Sequence, residues 1–213
     1  MGRVSQAQAE ENRRRVVETA SRLFREQGTH ASVADLMKAA GLTHGGFYKQ
    51  FASKEALIDE ATAHAFEELT RLRDAGLEQH AGQREAAQQA LIDVYLSAEH
   101  RDNVAEGCPA AALAADMARG AGERDARRAG GEREAHSGAG ERDAQRGGGE
   151  RDAHRVYAEG VSDFAEWLAT EDQDGVTRLC TMVGALVLAR ATNGSPLSEE
   201  ILGAARAGLA GTS

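Results

Sequence analysis

Residues 41–51, GLTHGGFYKQF, hold two adjacent glycines where the flanking pattern predicts a helix. Each glycine costs about 0.8–1 kcal/mol relative to alanine in a helix interior. At helical spacing Phe47 and Phe51 face the core, whereas Gly45 and Lys49 lie nearly opposite them. The outward face is therefore almost bare backbone with one cation. Such a face can approach another surface closely, and the major groove of DNA accepts an α-helix of that size.

A helix-turn-helix is the arrangement that would position this face. Ser32, followed three residues later by aspartate, forms a capping box for a short helix that ends at Gly41. Thr43 suits the N-cap of a third helix, and Leu42 stands in the staple position opposite Phe47. Alternatively, the glycine pair is a turn and the helix begins only at Phe47, because glycine pairs usually are turns. The cap, the staple and the upstream helix favour the helix-turn-helix.

Cys108 is a second candidate for a chemical role. Pro109, the next residue, suits the first position of a helix, so Cys108 would stand at a helix N-terminus. A thiolate is stabilised there, so Cys108 could sense oxidants or electrophiles. The expected role is nevertheless that of a small buried apolar residue. A cysteine-dependent enzyme is the remaining alternative, but no nucleophile elbow, phosphate loop or paired carboxylates accompany Cys108. We therefore expect no enzyme, and we expect Cys180 to pack in an apolar helix.

The charge of the chain divides by segment. The 213 residues carry a net charge of −9, yet residues 1–55 hold nine basic and six acidic residues, a formal +3. We therefore expect the basic N-terminal segment, the head, to bind DNA phosphates, and the acidic remainder, the body, not to bind them. The two cysteines lack metal-ligand spacing, so we expect no structural metal and no cofactor. With no apolar run of about 18–20 residues and no signal peptide, we expect a cytoplasmic protein that does not enter membranes.

Apolar residues recur three and four positions apart and no stretch alternates with a period of two, which predicts an all-α fold. The first helix carries Val16, Ala20, Leu23 and Phe24 on one face and ends at Gly28. A linking helix covers residues 53–75, with Ser53 as cap and an inward stripe of Ile58, Ala61, Ala65, Leu69 and Leu72. A helix over about 83–100 turns Ala87, Leu91, Val94, Tyr95 and Ala98 inward. Further helices span 156–168 and 176–193, and Ser198 caps the last one.

Residues 32–57, SVADLMKAAGLTHGGFYKQFASKEAL, closely resemble the DNA-binding segment of TetR/AcrR-family transcriptional regulators. A Gly-Leu or Gly-Val turn, a Ser or Thr start, an aromatic pair and an F-x-SKE-x-L exit recur in that segment. The resemblance implies a three-helix DNA-binding head over residues 1–55. A ligand-binding and dimerisation domain follows over 56–213. It also implies a homodimeric repressor that a small-molecule effector releases from a palindromic double-stranded DNA operator.

The resemblance also implies roles for single residues of the head. Ser32 and Thr43 would be helix caps that face phosphates, and Tyr48 would bind a phosphate through its phenol. Lys54 would hold a phosphate at the start of the linking helix, where backbone dipoles help. Base reading falls to the third helix, although His44 could equally be a solvated first-turn residue. The implied DNA-binding set is Ser32, Thr43, His44, Gly45, Gly46, Tyr48, Lys49 and Lys54.

The body of such a regulator needs a pocket and a dimer interface. The expected pocket residues, which could alternatively be plain core, are Phe66, Tyr95, Cys108, Leu113, Met117, Phe164 and Trp167. The resemblance implies that the last two helices pair with their copies in a four-helix interface. The expected interface residues, which could alternatively be buried within one subunit, are Val183, Leu186, Val187, Ile201, Leu202 and Ala205.

Residues 120–155 depart from the family. They repeat with a period of nine, with units that begin at Gly122, Gly131, Gly140 and Gly149, and they hold no large apolar residue. Such a low-complexity insert cannot bury enough apolar surface to offset the entropy of ordering it. We expect a flexible or partly helical surface excursion. A mixed-charge interaction arm is the alternative, and a non-specific DNA-binding structural protein is a further alternative for the whole chain.

Overall fold

A computed structural model describes residues 6–120 and 152–210. These residues form helices without strands, which confirms the all-α prediction. The first part comprises α1 Gln6–Gln27, α2 Val33–Ala39, a 3-10 helix His44–Lys49 and α3 Lys54–Gln79. The remainder comprises α4 Arg84–Tyr95, α5 Ala98–Asp102, α6 Pro109–Ala112, α7 over 114–120, α8 Ala153–Leu168, α9 Gly175–Ala191 and α10 Pro196–Leu209.

Two apolar cores organise the described residues. The head core joins α1, α2, the 3-10 helix and the first turns of α3, and it extends past residue 55 onto Leu57 and Ala61. The body core joins the rest of α3 with α4, α8, α9 and α10. Leu113 and Met117 belong to the head core although they follow α6. Both α3 and α8 contribute residues to the two cores, so these helices connect them.

The turns of the head follow the sequence signals closely. Gly28 and Gly41 end the first two helices with φ of +86° and +70°, the left-handed region that favours glycine. The Ser32 hydroxyl accepts the Asp35 N–H at 3.1 Å. The Ser53 hydroxyl likewise accepts the Ala56 N–H at 3.1 Å and starts α3. These local caps fix where α2 and α3 begin.

The third element of the head differs from the prediction. It is a 3-10 helix of six residues, and the Thr43 side chain makes no capping hydrogen bond. Short 3-10 pieces are common as connectors. Two glycines lower the helical preference of so short a segment, so the α-helical form expected from Thr43 onward does not develop.

Two inward assignments in the longer helices are wrong. Leu72 of α3 is 61% exposed and Val94 of α4 is 66% exposed. The predicted helix over 83–100 also breaks at Leu96, after which Ser97 caps α5. The buried side of α4 is set by Gln88, which donates to the Trp167 carbonyl at 2.5 Å. Ala87 and Tyr95 of the predicted inward set are buried and Leu91 is partly buried, so Val94 is the α4 member of that set that faces outward.

The start of the last helix also differs from its prediction. Ser195 caps α10, and its hydroxyl accepts the Leu197 N–H at 3.3 Å. Ser198, the predicted cap, is buried and donates to the Ala189 carbonyl of α9 at 2.8 Å. Pro196 at the first helical position accounts for the earlier start, because proline suits that position. Ser198 therefore joins α9 to α10 instead of starting α10.

Gly175 allows α9 to start directly against α8. A Cβ at this position would lie 1.9 Å from the Ala165 carbonyl oxygen, which is backbone and cannot move aside easily. We expect Gly175→Ala to lower the free energy of unfolding by about 2–3 kcal/mol through overpacking. Urea unfolding followed by circular dichroism measures the effect. Gly203→Ala is the control, because a Cβ there meets nothing within 4 Å; equal stabilities of the two variants would contradict the prediction.

Candidate nucleic-acid interface and body cavity

Two phenylalanines hold the 3-10 helix on the head core. Phe47 and Phe51 are buried, and their rings stack with centroids 5.4 Å apart. Tyr48 is 68% exposed, and its ring meets the Phe47 ring edge-on at 5.1 Å. The His44 ring lies edge-on to Tyr48 at 6.1 Å and is also exposed. The aromatic anchors therefore turn the polar side of the segment outward, as the sequence predicted.

The two glycines of this segment differ in their surroundings. A Cβ on Gly45 would meet no atom within 4 Å, so this glycine leaves the outer face bare. A Cβ on Gly46 would contact Met37 Cε at 3.5 Å, and Gly46 is only partly exposed. Gly46 therefore lies towards α2, and the bare face consists of Gly45 with its exposed neighbours Thr43 and Lys49.

Arg13 positions the segment, and sequence reasoning missed it. Its guanidinium donates to the Gln50 carbonyl and pairs with the Glu60 carboxylate. It also stacks over the Phe51 ring, 4.4 Å from the ring centroid. One side chain of α1 thus ties the end of the 3-10 helix to α3. Arg13 is three residues before buried Val16, on the inward face of α1, and that spacing was the available signal.

The remaining predicted DNA-binding residues lie at two helix starts. Ser32 is exposed at the start of α2, and its hydroxyl is engaged with the Asp35 N–H and carboxylate. Lys54 is partly exposed as the first residue of α3. Helix starts present unpaired N–H groups and a favourable dipole to anions. Both positions therefore have the local geometry that phosphate contacts use.

The body contains a cavity of about 460 Å³ between α1, α3, α4, the segment before α6 and α8. Three of the predicted pocket residues, Tyr95, Cys108 and Trp167, line it. The other four predicted pocket residues do not line it. Phe66 and Phe164 belong to the body core, and Leu113 and Met117 to the head core. Long-range packing decides which apolar groups border the cavity, and helical spacing carries no such information.

His100 fixes the wall of the cavity around Cys108. Its Nδ1 lies 2.6 Å from the Tyr95 carbonyl oxygen, and its Nε2 accepts the Cys108 backbone N–H at 3.2 Å. This pattern requires a neutral ring with its proton on Nδ1. Burial lowers the pKa of His100, in keeping with that neutral form. Both ring nitrogens are used for backbone contacts, so His100 is not arranged as a base for the Cys108 thiol.

Cys108 is a buried thiol. Burial raises its pKa above the ordinary value, although the nearby Tyr95 hydroxyl and the Ala111 and Ala110 backbone act in the opposite direction. The helix that it precedes has only four residues. Desolvation therefore outweighs the helix N-terminus that the sequence suggested as an activating feature.

Alkylation of Cys108 should accordingly be slow in the folded protein. Because its pKa is raised, little thiolate is present at pH 7–8, and the rate should increase as the pH rises further. We expect reaction with iodoacetamide to be about 100-fold slower than in guanidinium chloride, as suits a buried site. Peptide mass spectrometry follows the reaction, and fast modification in the native state would restore the thiol-sensor alternative.

The last two helices expose an apolar face. Within residues 6–120 and 152–210, four of the seven exposed large apolar residues lie on α9 and α10, namely Val176, Val187, Leu188 and Leu197. Of the predicted interface residues, Val187 is exposed, and Val183, Ile201 and Ala205 are partly buried. Leu186 and Leu202 are fully buried within the protomer, so their assignment to a surface was wrong. They face inward because α9 and α10 pack on each other and on the body core.

No group of metal-ligating side chains occurs within residues 6–120 and 152–210. The same residues include no helix that is both long enough and apolar enough to cross a membrane. The nonapeptide insert lies almost entirely outside the described residues. Its last described part is ordered, because Asp152 caps α8 by accepting the His154 N–H at 3.0 Å, and Ala153 is buried.

The head matches a known family. Residues 16–61 match the family model of bacterial regulatory proteins, tetR family. The HTH-type transcriptional regulator AcrR of Shigella flexneri is 38% identical over 61 residues, which are 28% of this chain and 28% of that protein. The chain thus matches just over a quarter of the length of this curated relative.

Two solved structures resemble the whole chain in fold. A TetR transcriptional regulator from Chloroflexus aurantiacus J-10-fl has a TM-score of 0.61 at 20% identity, covering 96% of this chain and 95% of that chain. A TetR-family transcriptional regulator from Streptomyces coelicolor has a TM-score of 0.56 at 20% identity, with 94% of both chains covered. At this identity the likeness concerns the fold alone.

Proposed function

We propose that this chain, whose N-terminal domain belongs to the tetR family of bacterial regulatory proteins, is a homodimeric repressor released from a palindromic operator by a small molecule. The observation that carries the proposal is the bare, exposed face at Gly45, held outward by Phe47 and Phe51. A bacterial regulator of this kind acts in the cytoplasm, where the chromosome lies.

The proposed DNA contact divides into base reading and phosphate anchoring. The face at Gly45 approaches the major groove, and Thr43, His44 and Lys49 reach the base edges beside it. Tyr48, which is 68% exposed on the same segment, binds a DNA phosphate through its phenol. The helix starts at Ser32 and Lys54 bind flanking phosphates. Arg13 acts indirectly, because it holds the segment against α1 and α3.

A dimer supplies the specificity that one short segment lacks. Two heads about 34–36 Å apart read half-sites one helical turn apart, so a palindrome mirrors the protein symmetry. The exposed apolar residues of α9 and α10 support this proposal, because such patches mark interaction sites. Gly184 and Gly208 on these helices have open space where a Cβ would stand, which permits close packing of a second copy.

Release of the operator by a ligand requires that a structural change at the cavity alter the position of the head. α1 of the head contacts the cavity wall directly, because Arg22 pairs with Glu106 at 2.6 Å and Arg25 itself lines the cavity. A ligand that fits only one arrangement of this wall would shift the population of head positions. The free energy of that shift equals the difference in ligand affinity between the two states.

A reporter assay tests the repressor function. A promoter that carries a duplex selected by the protein from a random pool should lose activity when the protein is present. Increased transcription would mean an activator, and no change despite binding would overturn the regulatory proposal. Equal binding to shuffled duplexes would instead favour a non-specific DNA-binding protein.

A further inference from the structure

We propose that the cavity binds an anionic amphiphile, a molecule with an apolar body and a carboxylate-type group that Arg25 and Tyr95 hold. The inference rests on the proposed function, since it names the chemical class of the effector. It concerns the region where α1 of the head meets α3 and α4 of the body.

The walls of the cavity are mainly apolar. Ala65, Leu69 and Leu72 of α3 face Leu91 and Val94 of α4, and Trp167 of α8 completes the lining. The exposure of Leu72 and Val94 places the opening between these two helices. The volume of about 460 Å³ lies within the range of small-molecule sites. An apolar body is therefore the main part of any good ligand.

The buried polar groups of the cavity have a surplus of donors. Nε and Nη2 of Arg25, Nε of Arg73 and the Tyr95 hydroxyl make no hydrogen bond of good geometry within the described residues. For Tyr95 the Cys108 thiol is close enough to affect the phenol pKa, but it is a weak partner. Among the residues that line this cavity, the one carboxylate or amide oxygen in the same condition is Glu68 Oε2. A ligand that brings acceptor oxygens would satisfy this surplus.

Two arginines, Arg25 and Arg73, and two glutamates, Glu68 and Glu106, line the cavity, and Glu106 is already paired with Arg22 at 2.6 Å. The Arg25 side chain is 3% exposed, and its one carboxylate neighbour is Glu68, with Nη2 and Oε2 3.0 Å apart but not aligned as a hydrogen bond. Glu68 is shared with His64 Nε2 at 3.3 Å. Arg73 donates to the Asp163 carbonyl at 3.1 Å and to the Thr70 hydroxyl at 2.9 Å, and its guanidinium lies 5.6 Å from the Phe164 ring centroid. With Glu106 paired to Arg22, the lining leaves Arg25 and Arg73 against Glu68 alone, so an anion fits this environment better than a cation does.

Arg25 also connects such a ligand to the head. It is the residue after Phe24, which packs in the head core, and it donates to the Gly107 carbonyl at 3.4 Å. An acid group that binds Arg25 would compete with Glu68 of α3 and with Gly107. The position of α1 relative to α3 would then depend on the ligand. The same contact thus recognises the anion and transmits its binding.

Matched ten-carbon probes test the inference on the full chain. Decanoate, decanol and decylamine share one chain length and differ in the charge of the head group. Trp167, the one tryptophan of the sequence, lines the cavity and reports binding by its fluorescence. We expect decanoate to bind about 10-fold more tightly than decanol and decylamine to bind most weakly, as for a charge-assisted contact. Equal affinities, or a preference for the amine, would overturn the inference.

Variants locate the acid group. Arg25→Met should remove the preference for decanoate over decanol, and Arg71→Met, on the exposed side of α3 and away from this cavity, should leave it unchanged. Tyr95→Phe removes only a hydroxyl and should weaken decanoate binding by about 3-fold, which corresponds to one lost hydrogen bond. This second variant still tests the proposal if Arg25→Met does not fold. An unchanged decanoate preference in Tyr95→Phe and in folded Arg25→Met would overturn the assignment.

DNA binding is measured in the same samples without probe. A protein that binds its selected duplex but ignores the charge of the probe contradicts only the ligand class. A protein that prefers decanoate but binds no DNA contradicts the proposed function instead. The two proposals therefore fail separately.

Discussion

Gly45→Leu should reduce affinity for the selected duplex about 100-fold, equivalent to about 2.8 kcal/mol, because each factor of ten is 1.4 kcal/mol. A leucine side chain would project from the face that must enter the groove, and the backbone could no longer approach the bases. The substitution should leave the free energy of unfolding within about 0.5 kcal/mol, as for surface changes without contacts. A Cβ at Gly45 meets nothing within 4 Å, and its φ is not in the left-handed region. Fluorescence anisotropy with labelled duplex measures the affinity.

The neighbouring glycine is unsuitable for this test. Gly46→Leu would press on Met37 in the head core, so a loss of binding could reflect a distorted head. Ala118→Leu is a better control, because it adds an exposed leucine to α7, far along the chain from the DNA-contacting segment. If Gly45→Leu is folded and keeps full affinity, the face at Gly45 does not enter the groove.

Val187→Arg should convert the dimer into monomers. Val187 is 45% exposed on α9, and a dimer through α9 and α10 would bury this arginine against apolar residues without a partner. We expect the dissociation constant of the dimer to rise about 100-fold, about 2.8 kcal/mol. Operator affinity should fall towards that of a single half-site. Sedimentation velocity across a concentration series measures the change.

An exposed valine elsewhere gives the matched control. Val94 is 66% exposed on α4, so Val94→Arg adds the same charge away from the α9–α10 face. Its oligomeric state should equal that of the wild type. A dimeric Val187→Arg variant, or a monomeric wild type at micromolar concentration, would contradict the proposed interface.

Local signals in the sequence were enough to predict most helix ends in the head. Gly28 and Gly41 adopt the positive φ that their positions predicted, and Ser32 and Ser53 cap the helices that they precede. These features depend on a few adjacent residues, so sequence reasoning can find them. The inward direction of Phe47 and Phe51 was predictable for the same reason, since their spacing of four follows the helical repeat.

Features that depend on distant residues escaped prediction. Gln88 is buried because its side-chain amide donates to the carbonyl groups of Trp167 in α8 and of Ala169 just after α8. No local sequence pattern predicts those partners. Leu113 and Met117 pack with the head because of where α6 and α7 lie, not because of their own spacing. Arg13 finds Gln50 and Glu60 across the fold. The site was therefore predictable in its outward residues and not in the contacts that hold them.

The most direct test of the account is selection of bound duplexes from a random DNA pool by the wild type beside Gly45→Leu. The account predicts that the wild type enriches an inverted repeat whose half-sites lie about one helical turn apart, and that the variant enriches none. The same motif from both proteins, or no motif from a folded and dimeric wild type, would contradict the claim that the face at Gly45 reads an operator.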